Sequence, residues 1–74
     1  MKSKEQILQE IANLENEANE LMREYDMYYR LAGEPKYPRD ISDSNIGYVN
    51  TYRGIAAKRR RINNRIRKLK ESIN

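Results

Sequence analysis

The side chains best placed to do chemistry in this chain are cationic. Arg53, Arg60, Arg61, Arg67 and Lys68 follow one another at intervals of seven, one, six and one. On a helix these intervals gather them onto one face, a stripe about 22 Å long at 1.5 Å rise per residue. Guanidinium groups pair bidentately with phosphate and displace its counterions, so the stripe suits nucleic acid or an acidic protein surface. The competing reading is a solvated face whose cations sit well near the C-terminal end of a helix dipole.

Catalysis has no comparable set of groups. The chain contains no histidine and no cysteine, and its carboxylates form neither a pair in a cleft nor a partner set for a nucleophile. Asp40, Asp43 and Asn45 lack the spacing and the closing glutamate of a calcium loop, and there is no glycine-rich phosphate loop. A noncatalytic binding or regulatory module without metal or cofactor is expected.

Three other groups of residues stand out. All six tyrosines fall between Tyr25 and Tyr52. Tyr25, Tyr28, Tyr48 and Tyr52 have the spacing of a buried seam, where tyrosine would replace the missing Phe and Trp, whereas Tyr29 and Tyr37 should look outward. Tyr29, Tyr37 and Tyr48 are the candidate anchors for a protein partner. Gly47 and Gly54 lie seven apart with Thr51 between them, and interior helix glycines cost about 1 kcal/mol each relative to alanine. Close approach by another subunit would explain them, as would tolerated variation near a frayed helix start. Arg59 interrupts an otherwise apolar row, and one polar residue there commonly sets register and oligomer state.

These residues require helices to position them. Ile7, Ile11, Leu14, Ala18, Leu21, Tyr25, Tyr28 and Ala32 advance in alternating steps of four and three, as do Tyr48, Tyr52, Ile55, Arg59, Ile62, Ile66, Leu69 and Ile73. That repeat keeps one helix face against a partner helix. Ser3 and Gln6 match a capping box, and Gly33 supplies a stop. Pro35 and Pro38 break the chain into a turn; the formal PxxP they make lacks flanking basic spacing and reads as loop stiffening. Ser42 is expected to cap a second helix with Asp43 in its first turn, Ile41 and Ile46 forming a hydrophobic staple. The predicted unit is a single all-α domain over residues 1–74, with helix 3–32, turn 33–42 and helix 43–73. It is an antiparallel two-helix coiled-coil hairpin.

In the register that aligns the two rows, Ala32 faces Tyr48, Tyr28 faces Tyr52, Tyr25 faces Ile55, Leu21 faces Arg59, Leu14 faces Ile66 and Ile11 faces Leu69. One flank then pairs Glu17 with Arg65 and Glu24 with Lys58, and Arg59 can extend toward Glu17 or Glu24. The opposite flank is apolar, with Met22 near Ala56, Tyr29 near Val49, and Leu8 further along. Met22, Val49, Gly47 and Gly54 are therefore candidate interface residues, and a homo-oligomer is expected, a four-helix bundle or higher helical assembly. In layout the chain resembles the short helical-hairpin proteins that dimerise into four-helix bundles, some of which bind RNA in plasmid copy-number control.

Charge divides the chain in the same way as the helices. Residues 1–32 carry four basic and seven acidic side chains, a balance of −3, and residues 44–74 carry nine and one, a balance of +8. This asymmetry suits internal pairing plus a surplus positive surface. With 38% apolar residues the core is thin, which again favours association. No stretch reaches membrane-spanning length and the first six residues have no apolar run, so a cytoplasmic protein is expected. The leading functional expectation is a module that binds nucleic acid or an acidic surface. The alternatives are a protein–protein adaptor or inhibitor, of the kind phages encode, working through its tyrosine-rich turn, and a nucleotide-sequestering oligomer with arginines and tyrosines from neighbouring copies.

Overall fold

The computed structural model describes residues 2–73; Met1 and Asn74, the ends of the expected unit, lie outside them. Two α-helices, α1 (Lys4–Leu31) and α2 (Ile46–Ser72), pack antiparallel along a body of 49 × 17 × 15 Å. Neither helix is long and apolar enough to cross a membrane.

The capping box at the start of α1 is formed. The Gln6 amide donates to Ser3 Oγ at 3.2 Å, and the Ser3 amide donates to Gln6 Oε1 at 2.9 Å. At the other end Gly33 takes φ +83°, the Gly33 amide donates to the Arg30 carbonyl and the Glu34 amide to that of Tyr29. This is the Schellman closure that glycine permits.

The connection departs from expectation. Asp40 Oδ2 accepts from the Lys36 and Tyr37 amides and holds a 3₁₀ turn at Pro38–Asp40, and α2 begins at Ile46, three residues later than Asp43. Ser42 does not cap it; its hydroxyl meets that of Ser44. Asn45 organises the turn instead. Its Oδ1 accepts from the Ser42 amide at 2.8 Å, and its Nδ2 donates to the carbonyls of Ala32 and Asp40, each at 2.9 Å. One side chain thus ties the end of α1 to the start of α2. Ile41 packs onto the core at this end while Ile46 stays exposed.

The core has two parts. Ile11, Ala18, Leu21, Ile62 and Ile66 are buried along the middle and open end, flanked by Ile7, Leu14, Ile55, Leu69 and Ile73. Ala32, Val49 and Tyr52 are buried at the turn end, with Tyr25, Tyr28, Tyr29 and Ile41 against them. Both expected seams are therefore present. The Tyr52 ring meets Tyr25 edge-on at 5.1 Å and Tyr29 edge-on at 5.5 Å, and Tyr28 meets Tyr48 at 6.3 Å.

Candidate functional site

The cationic stripe forms on the outer face of α2. Arg53, Arg60, Arg61, Arg67 and Lys68 are all exposed, and no ion pair among the described residues reaches any of them. The reason is geometric. The paired cations of α2 stand at the edges next to α1: Arg65 Nη2 lies 2.6 Å from Glu10, Lys58 lies 3.9 Å from Glu17 and Lys70 lies 3.9 Å from Glu15. Most of the stripe points away from α1, whose carboxylates cannot follow, while Arg60 stands at its margin on the wall of a cleft between the helices.

These contacts correct the expected flank. Arg65 takes Glu10 rather than Glu17, and Lys58 takes Glu17 rather than Glu24. Each acid lies one heptad earlier than expected, a distance over which long side chains lean along their helices. Glu10 is the best-satisfied carboxylate. Lys2 Nζ donates to its Oε2 at 2.7 Å, and Arg65 Nε and Nη2 both donate to its Oε1. Hydrogen bonds from Lys2 and then Arg65 hold its carboxyl below the usual range.

On the opposite edge a cleft of about 440 Å³ opens between the helices. Met22, Tyr25 and Asp26 form its α1 wall, and Ile55, Ala56, Arg59, Arg60, Asn63 and Asn64 form its α2 wall. Arg59 contributes a buried Nε that has no hydrogen-bond acceptor. It pairs with neither Glu17 nor Glu24, and Glu17 faces Lys58. A buried donor left without an acceptor costs about 1–3 kcal/mol, so this is the least satisfied polar atom of the described fold.

The remaining candidates are distributed as follows. Val49 is 0% exposed and belongs to the turn-end core, so it presents nothing to another protein. Tyr29 does not look outward; its ring meets Tyr52 edge-on at 5.5 Å and stacks on Tyr25 at 6.0 Å. Tyr48, expected in the seam, is 41% exposed, and Tyr37 is 57% exposed with the Arg39 guanidinium 4.9 Å from its ring centre. Met22 is 48% exposed beside the cleft. Gly47 and Gly54 face open space, where an added Cβ would meet nothing within 4 Å. They share a heptad row with Arg61 and Lys68, so the stripe continues toward the turn as bare backbone.

Sequence reasoning passed over four residues. Asp26, Asn63 and Asn64, in the cleft, carry no motif that would mark them. Asn45 had a signal, an Asx residue directly before Ile46, but Ser42 and Asp43 offered an earlier cap of equal chemical merit. Among the described residues no group of three or more metal-ligating side chains gathers. No family model matches the chain, and neither a curated protein nor a solved structure matches it.

Proposed function

We propose that the hairpin is a noncatalytic binding module that engages nucleic acid through the outer face of α2. The observation that carries this reading is the contrast between cations: Lys58, Arg65 and Lys70 are paired with carboxylates of α1, and the five of the stripe are exposed with no ion pair among the described residues. Gly47, Gly54, Asn50, Ala57 and Asn64 lie around them, so the face lacks the large apolar anchors on which protein interfaces depend. A phosphate backbone needs only the charge and a surface that lets it approach. Arg60, Arg61, Arg67 and Lys68 are the phosphate-contacting residues, and Arg53 extends the track. The reading goes with a cytoplasmic location.

Fluorescence anisotropy with a short mixed-sequence duplex and a single strand, titrated across salt, tests this. Affinity should fall by about 0.9 log units per log unit of salt for each duplex phosphate contacted, a slope of about −4 for four contacts, with little dependence on sequence. Reversal of Arg60, Arg61, Arg67 and Lys68 to glutamate should abolish binding while helicity by circular dichroism is unchanged. Binding that survives the reversal refutes the proposal.

A second reading is favoured by the distribution of exposed apolar side chains. Met27, Leu31, Tyr37, Ile46 and Tyr48 lie at the turn end, against only Leu8 and Met22 elsewhere. A protein target bound there would make the chain an adaptor or inhibitor, with Tyr37 and Tyr48 as anchors. Alanine at both should then remove the target in a pull-down, and salt should have little effect. Self-association into a four-helix bundle is compatible with the second reading, since the Met22 edge lies apart from the turn, and it meets the first only at Arg60, which belongs to both the edge and the stripe. Solution mass by light scattering tests it.

A further inference from the structure

The Met22 edge carries two indentations. Beyond the cleft at Arg59 a second, of about 410 Å³, is bounded by Leu8, Ile11, Ala12 and Glu15 of α1, by Lys70 of α2 and by Ile73 just past its end. The α1 wall that joins them reads Leu8, Ala12, Glu15, Asn19, Met22 and Asp26, again in steps of four and three. That is a second row with the spacing of a helix-contact face, laid alongside the first. The two walls differ in sign. The α1 wall has Glu15 and Asp26 and no cation, whereas the α2 wall has Arg59, Arg60 and Lys70 and no anion.

We propose that a second copy of this chain covers the edge, with α1 of each copy lying over α2 of the other about a two-fold axis that runs along the hairpin. This arrangement rests on the self-association named above and specifies its geometry. Docking α1 on α1 would set Arg59 and Arg60 against the same pair in the other copy. The crossed arrangement sets each basic wall against an acidic one, the self-complementarity that a two-fold interface requires. An axis along the hairpin preserves height. Because Asp26 lines the same cleft as Arg59 and Arg60, Asp26 of the second copy arrives at the height of that cleft. Arg59 Nε, buried without an acceptor in the single chain, then has a carboxylate to meet.

The arrangement has a consequence for the stripe. With the helices crossed, the outer faces of the two α2 helices lie on opposite flanks of the bundle, so one dimer offers nucleic acid two separate tracks. The α1-on-α1 docking would place both tracks on one flank.

Sedimentation equilibrium without nucleic acid, on the full chain and its variants, tests the proposal. The unmodified chain should be a dimer, and Met22→Lys should raise its dissociation constant at least about tenfold. Asp26→Arg and Arg60→Glu should each weaken the dimer, and the two together should restore it to within about twofold of the original, as charge exchange across an interface does. A monomer at millimolar concentration overturns self-association and this arrangement with it. A dimer that Asp26→Arg leaves unchanged, or that the double exchange fails to restore, overturns the crossed docking alone. The rescue also keeps the test informative if Met22→Lys unfolds the chain.

Discussion

Arg59 occupies a seam position where its neighbours in the row are isoleucines, and its Nε is buried without an acceptor. Replacing a buried polar group by an apolar one of similar volume is often stabilising. Arg59→Leu should therefore raise the stability of the isolated hairpin by about 1–2 kcal/mol in urea unfolding at low protein concentration. A decrease would mean that the guanidinium is better solvated than its burial suggests. Asn45 behaves oppositely, since its amide donates to two carbonyls and its oxygen accepts from the Ser42 amide. Asn45→Ala should cost about 1–3 kcal/mol, and Asn45→Asp, which keeps the acceptor but loses both donors, should cost most of that. Glu10 makes one part of the stability depend on pH. Its carboxyl titrates below the ordinary range because Lys2 and Arg65 stabilise the ionised form, so the unfolded chain binds the proton first. The pair's contribution is complete above the ordinary glutamate range, about pH 4.3, and is lost as the pH falls through the lowered value. Glu10→Gln should flatten the acid limb of a stability–pH profile, and an unchanged limb would place the acid sensitivity elsewhere.

At the level of the elements, existence and facing were legible, and alignment was not. The two four-three rows name nearly every core residue because burial requires one continuous stripe per helix. The same regularity hides the register, since a repeat that alternates four and three matches its partner again half a heptad away. What holds one alignment at the turn is nonperiodic: the reach of the Asn45 amide to the Ala32 carbonyl. Val49 was read as an edge residue because local spacing cannot anticipate that Ile41, folded back from the turn, belongs to the core that covers it. The stripe of the candidate site was fully legible, as outward positions follow from helical geometry alone. The cleft was not, because its depth depends on the register. Two glycines offer a contrast within the elements. Gly54 meets nothing in α2, so Gly54→Ala should stabilise the hairpin by about 0.5–1 kcal/mol through helix propensity. Gly33 holds φ +83° in the closure of α1, so Gly33→Ala should destabilise by a similar amount. Thermal unfolding of the two variants side by side distinguishes them by sign.

For the molecule as a whole, a body 49 Å long and only 15 Å across in its thinnest direction has little interior. Its stability should therefore depend on concentration. If the Met22 edge is covered by a second copy, the thermal midpoint will rise as the chain is concentrated and Met22→Lys will remove the rise. A midpoint independent of concentration would argue for a self-sufficient monomer. Charge is also resolved at this scale, because the acids of α1 neutralise the near edges of α2 and leave its far face to solvent. The periodic seam has a mechanical consequence as well. Sliding one helix along the other raises the energy until the next alignment of the rows, about 5 Å away at 1.5 Å per residue, where apolar layers meet again and the clasp at Asn45 is undone. Under an axial pull the hairpin should yield in a discrete step rather than stretch smoothly, with Asn45 as the catch that holds it in its present notch.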